Sequence, residues 1–244
     1  MTDWAGKRYW IVGASEGLGA ALAHKISSTG AHLILSARNE KRLHDLAAAL
    51  PGTAKVVPMD VQEDASVARA VEAVGEIDGL VWLAGVYWPM PATDWDVDKG
   101  VAMADVNFTG AYRVLGRAVP PMVARDAGHI VLVGSLSGFR GLPGAIGYAP
   151  SKAGVMALGE SLHADLHRTG IDVQLANPGF IRTRLTDKND FRMPFLMEPE
   201  QAAQEVFELM CTPGRFKKSF PTVFSWVFRL SQFLPDWLYY RLFA

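Results

Sequence analysis

The sequence predicts an α/β fold with a doubly wound parallel sheet. Short apolar runs alternate with stretches of helical periodicity, the runs are apolar almost throughout, and a glycine-rich turn follows the first of them. Strands alternating with helices imply right-handed crossovers between parallel strands. Near-continuous apolar strands imply helices on both faces of the sheet.

"RYWIVG" reads as the first strand, and "LGAALAHKISSTG" as a helix whose apolar residues recur at helical spacing before a glycine stop. The pattern then repeats. "AHLILSA" precedes a helix over 39–50, "AKVVPM" one over 64–74, and "DGLVWLA" one over roughly 98–125. "GHIVLVGS" precedes a helix over 149–169, and "DVQLANP" a long loop and a helix over 199–210. In such a sheet a ligand sits beyond the carboxyl ends of the strands.

The chain has 244 residues, half of them apolar, which is enough for one large core. A net charge of −1 with no basic block argues against nucleic acid as a partner. The single cysteine, Cys211, excludes an internal disulfide framework, fits a reducing compartment and reads as an inert buried thiol. No metal site is expected. The N-terminus lacks an apolar segment with a small-residue cleavage site, and no uncharged run reaches the ~20 residues of a spanning helix. A cytoplasmic protein is expected.

The first turn, "GASEGLG", places Gly13, Gly17 and Gly19 around Ser15, Glu16 and Leu18. Glycine lets backbone approach a pyrophosphate, and the helix start behind it offers free N–H groups and a positive dipole end. A turn serving helix–strand packing alone is the ordinary alternative. The second strand ends "LSARN", with Ala37 and Arg38 where an NAD site of this kind usually carries an acid. Arginine pairs with a 2′-phosphate that a carboxylate would repel, so NADP(H) is favoured over NAD(H). In "MDV", beside Val61, Asp60 can accept from an adenine amino group or cap the next helix.

With "GASEGLG" at the start, "VGSLSG" at the end of a strand, "YAPSK" after it, and "DVNFTG" and "NPGFIRT" in their places, the sequence resembles the short-chain dehydrogenase/reductase family over residues 7 to about 210. The resemblance implies a Rossmann fold and an oxidoreductase that takes a small-molecule carbonyl or secondary-alcohol substrate. It carries over Ser135, Tyr148 and Lys152 as the catalytic triad and Asn107 as a fourth member holding a relay water. Ser137 is set aside because the family's spacing to tyrosine selects Ser135. The resemblance also implies that Ala84 and Gly85 allow close approach to the cofactor and that Lys152 binds its ribose. Pro178 and Gly179 would frame the nicotinamide amide, Ile181 would bind cofactor beside them, and Thr183 would donate to the carboxamide or the pyrophosphate, a simple turn at "NPG" being the ordinary alternative. A homodimer or homotetramer would form through helices 98–125 and 149–169.

Residues i and i+4 share a helix face, so Lys152 lies on the side of Tyr148. Its ammonium is expected to lower the tyrosine pKa from roughly 10. Two departures stand out: Trp82-Leu83 replaces the family's Asn-Asn, and Val12 replaces a threonine that often opens the glycine motif. The rival readings are an NAD(H)-linked enzyme and a non-catalytic dinucleotide sensor or anchor.

The loop from Phe180 to Pro199 contains "FRMPFLM", which suits a lipophilic substrate or, equally, the core; Tyr87 and Trp88 join the same wall. We divide the chain into a Rossmann-type domain over 1–213 and an apolar helical extension over 214–244, with Pro235 between two short helical pieces. Three roles compete for the extension: the substrate entrance, subunit packing, and a peripheral membrane contact through 216–244.

Overall fold

Strand β1, Arg8–Val12, shows why its run is apolar on both sides: Tyr9 and Ile11 enter one core layer, Trp10 and Val12 the other. The computed structural model describes residues 4–243. After β1 come α1 (Gly17–Ser27), β2 (His32–Ser36), α2 (Glu40–Ala49), β3 (Ala54–Val56), α3 (Asp64–Val74) and β4 (Gly79–Trp82). Next follow α4 (Val97–Ala104), α5 (Gly110–Ala124), β5 (Gly128–Val133), α6 (Tyr148–Leu166), β6 (Ile171–Pro178) and α7 (Pro199–Met210). The chain ends with β7 (Lys217–Phe220), α8 (Thr222–Ser231) and α9 (Asp236–Phe243).

The seven strands form one parallel sheet in the order β3-β2-β1-β4-β5-β6-β7. Helices cover both faces. Leu22, Ile26, Leu43 and Val206 bring α1, α2 and α7 onto one, and Val67, Val114, Leu115 and Val155 bring α3, α5 and α6 onto the other. Each fully buried leucine or valine here contributes ~1.5–3 kcal/mol by leaving water.

The helix expected over 98–125 is present but wound unevenly. Between α4 and α5, Asp105–Thr109 make a π-turn. The indole N–H of Trp82 donates to the Asn107 carbonyl at 3.3 Å, drawing that oxygen towards β4. Inserted groups of this kind are a usual cause of local unwinding. Trp82 is fully buried, and Gly110 makes room for it: a Cβ at Gly110 would lie 3.2 Å from the indole. Trp82 is thus accommodated within the core and ties β4 to the helix that carries Asn107, while Leu83 is half-buried against the other core layer.

Strand β7 is absent from the sequence reading. It lies parallel to β6, Leu175 opposite Lys217 and Pro178 opposite Phe220, so residues beyond 214 begin by extending the sheet. The division placed after residue 213 falls in the turn between α7 and β7.

Candidate active site

Strand β1 pairs with β2 on one side and β4 on the other, which opens a crevice at the carboxyl ends of the sheet. The crevice holds a cleft of about 530 Å³. Every residue expected to bind cofactor or take part in catalysis lines it except Asp60 and Asn107. Asp60 lies to one side, its Oδ1 accepting from the Gln62 N–H at 3.0 Å in a local turn; it does not cap the next helix, whose N-cap position is Glu63.

Bare backbone is a geometric requirement at the glycine turn. Gly13 has φ +95°, and a Cβ there would fall 2.6 Å from the Ala84 nitrogen. Gly17 has φ +55° and abuts the Thr183 methyl, where a Cβ would come within 2.8 Å. The ends of β1 and β4 and the loop after β6 therefore converge on a surface without side chains at the start of α1. That shape, with the dipole and free N–H groups of α1 behind it, fits the pyrophosphate of a dinucleotide.

The charges around the turn include two that the sequence reading missed. Arg42 and Arg184 both donate to Glu16 Oε2, at 2.5 and 2.9 Å. Two guanidiniums thus hold the one carboxylate of the glycine turn, offsetting its repulsion of a phosphate. Arg42 stands four residues after Arg38, and both line the cleft. That spacing was the available signal. Arg184, reaching back across 168 residues of chain, had none.

At the other end, Ser135 follows β5, Tyr148 opens α6, and Lys152 lies one turn on. Ser137 donates to Ser135 Oγ from its N–H at 3.2 Å and its hydroxyl at 2.9 Å. Both contacts use Ser135 as acceptor and leave its own proton to donate. Ser137 thus orients Ser135. Lys152 is buried, and its Nζ donates to the Val133 carbonyl at 3.0 Å and lies 5.8 Å from the Tyr148 ring centroid.

The expected depression of the Tyr148 pKa is absent. Burial pushes the phenol up to about 12, opposed by a hydrogen bond with Ser135 and reinforced by Tyr87, although part of the ring stays open to the cleft. Lys152 is itself desolvated, which pulls its ammonium down to about 8. Desolvation is the largest cause for both groups.

Asn107 is fully buried and its amide is engaged. Oδ1 accepts from Val86 N–H at 2.7 Å, while Nδ2 donates to the Val86 carbonyl and to Ser151 Oγ, each at 3.0 Å. The side chain pins the exit of β4 to α6. A Cβ at Gly85 would stand 3.4 Å from Asn107 Oδ1 and 3.7 Å from Lys152 Nζ, so these three residues border one gap.

The substrate side is aromatic. Tyr87 meets Tyr148 edge to face at 5.0 Å and donates its hydroxyl to Asn189 Oδ1 at 2.8 Å. Lys188 donates to the Tyr87 carbonyl at 2.6 Å and lies over the Trp88 ring at 4.4 Å. These contacts tie the loop after β6 to the exit of β4. Phe180 meets Phe191 and Phe224 at 5.9 Å each, and Phe195 stacks on Phe224 at 5.3 Å. Phe191 and Phe195 stay exposed, so the loop aromatics form a surface wall and do not fill the core.

Known proteins share this sequence pattern and fold. The sequence profile of the short chain dehydrogenases matches residues 7–192. The chain belongs to that family. An uncharacterised oxidoreductase of Myxococcus xanthus is 36% identical over 248 residues, covering 98% of this chain and 97% of its own. Among solved structures, a short chain dehydrogenase/reductase family protein superposes with a TM-score of 0.82 at 26% identity, over 89% of this chain and 97% of that one. Serine dehydrogenase in its closed form with NADP+ superposes with a TM-score of 0.78 over 87% of this chain and 92% of its own; at 23% identity it bears on the fold alone. The short-chain dehydrogenase described here is an NAD(P)-dependent oxidoreductase with a Rossmann-type sheet.

Proposed function

We propose that this dehydrogenase prefers NADP(H) and acts on a lipophilic carbonyl/secondary-alcohol pair, with Tyr148 as proton donor and acceptor. The observation that carries the cofactor preference is the cluster at the end of β2, where Ala37, Arg38 and Arg42 line the cleft and β2 itself ends without an acid, the nearby Glu16 of the glycine turn being paired with Arg42 and Arg184. Bound there, the nicotinamide supplies or takes the hydride.

The chain's own residues do the rest. Arg38 and Arg42 hold the 2′-phosphate, the α1 start holds the pyrophosphate, and Lys152 takes the nicotinamide ribose. Ser135, its acceptor sites filled by Ser137, donates to the substrate oxygen. Tyr148 gives its proton to the same oxygen during reduction. With burial holding the phenol up at about 12, Tyr148 carries its proton across physiological pH and has it to give to the substrate oxygen. The Asn107 amide being engaged, a relay water is held by its carbonyl's second lone pair. The aromatic wall of Phe180, Phe195 and Phe224, with Tyr87 and Trp88, accepts the apolar part of the substrate.

Trp95, Val97, Val101 and Tyr112 leave an exposed apolar face along α4 and α5, and there we place the contact of a homodimer or homotetramer. Half-buried Cys211, whose thiol burial pushes up, suits a reducing cytoplasm.

The test is consumption of NADPH and NADH with a panel of hydrophobic ketones, aldehydes and quinones, beside Tyr148→Phe. The expected outcome is NADPH-preferring turnover that falls ~10²–10⁴-fold in the variant. NADH-preferring turnover would overturn the cofactor assignment, and full activity of Tyr148→Phe the proton-donor assignment.

A further inference from the structure

The C-terminal helices present their apolar face the wrong way round for a globular domain. In α8, Val223, Trp226, Val227 and Leu230 recur at i, i+3, i+4 and i+7, the spacing of a core-facing stripe, yet all four are exposed. The side turned inward carries Phe224 with Ser225 and Ser231. Those serines bond their own helix, to the Thr222 and Phe228 carbonyls at 2.8 Å, and need nothing from the domain. The outer face continues through Phe233, 84% exposed, and Trp237, 69% exposed, to Tyr240 and Leu242.

The domain holds this face in a defined position. Arg140 donates to the carbonyls of Ser231 and Leu234 at 2.6 and 2.9 Å, pairs with Asp236 at 2.5 Å and lies 3.9 Å over the Tyr239 ring. Tyr239 donates to the Gly141 carbonyl at 2.5 Å, and Gln232 to that of Phe139 at 3.0 Å. A run of large apolar side chains held outward on anchored helices marks a docking surface.

We propose that α8 and α9 dock the enzyme on the surface of an anionic lipid bilayer, the substrate cleft opening beside the lipid. The charges favour lipid over a second copy of the chain. The two helices carry Arg229, Asp236 and Arg241, and Asp236 is paired with Arg140. A two-fold contact would set this patch against itself, arginines against arginines with no free carboxylate on either helix. Anionic head groups supply the missing charge, and tryptophan and tyrosine suit the head-group level. At 10 and 8 residues the helices lie on a membrane and do not cross it, and among the described residues no helix is long and apolar enough to span one. The opposite face of α8 reaches the site: Phe224 packs against Phe180 and Phe195, and a Cβ at Gly179 would meet it at 3.2 Å. Supply of substrate from the bilayer rests on the lipophilic substrate proposed above; the docking does not.

The experiment is flotation of the cofactor-free protein with vesicles of phosphatidylcholine alone and of phosphatidylcholine mixed with phosphatidylglycerol. Brominated lipids report contact with Trp226 and Trp237. The wild type should float, more so with phosphatidylglycerol, and be quenched. Trp226→Ser/Leu230→Ser/Phe233→Ser should lose ~100-fold in partitioning while keeping its melting temperature and nucleotide binding. Arg229→Glu/Arg241→Glu, which spares the apolar face, should lose the preference for anionic lipid. Failure of the wild type to float would overturn the proposal, as would equal flotation of the triple variant. So would a concentration-dependent dimer, broken by the triple variant, without lipid binding.

Discussion

Helices α1 and α8 have similar apolar patterns and opposite fates. In α1, Leu18, Leu22 and Ile26 follow one another at four-residue steps and are all buried, packed between the sheet and α7. In α8, Val223, Trp226, Val227 and Leu230 follow one another at three- and four-residue steps and face outward, with Leu230 58% exposed. Periodicity tells that a stretch is helical and amphipathic. It does not tell what lies on the apolar side. For α1 the partner is the sheet that the preceding strand builds. For α8 the sheet side is met by Phe224 and two self-satisfied serines, and the stripe faces outward, with Arg229 of the same helix 5.5 Å over the Trp226 ring.

The comparison sharpens into measurable differences. Leu22→Ala should cost ~2–5 kcal/mol, because a fully buried side chain leaves a cavity between α1 and the sheet. Chemical denaturation measures it, and a loss below ~1 kcal/mol would mean that α1 is not held as described.

Lys152 supplies a polar counterpart, a charge turned inward. Its folded pKa, about 8, lies below the ordinary 10.5, so between those values the unfolded chain binds more protons and stability rises with pH. The cost of the buried ammonium is fully present below pH 8 and relieved towards 10.5. Relative to Lys152→Met, the wild type should gain up to ~3 kcal/mol across that window, read from paired denaturation curves. A flat difference would mean that the ammonium is well solvated.

The smallest effect belongs to the tail. Leu230→Ala should change stability by less than ~0.5 kcal/mol, since its side chain already faces water. A loss like that of Leu22→Ala would show that α8 buries the stripe in solution and would remove the basis for a docking face.

Much of the cofactor half was legible because its chemistry is local. Gly13, Gly17 and Gly19 are close in sequence, and each answers a contact with backbone or a neighbouring loop. Ser135, Tyr148 and Lys152 were reached through the family resemblance, and the structure sets them on one strand end and one helix turn. Less was legible where partners come from afar. Strand β7 reads "KKSF", two of its four residues charged, and it is seated by Lys217 on Glu160 and by Lys218 on Glu205 and Glu208. No apolar run announces such a strand. The raised Tyr148 pKa was missed because four-residue spacing gives proximity to Lys152 but not the desolvation both groups share.

The central claim, an NADP(H) site selected at the end of β2, is tested most directly by titrating the enzyme with NADPH and with NADH, in the wild type and in Arg38→Leu. The account predicts tighter binding of NADPH by the wild type, and a loss of ~10–100-fold in the variant for NADPH alone, as removal of a charge-assisted phosphate contact implies. Equal affinities in the wild type, or an equal loss for both nucleotides, would contradict it.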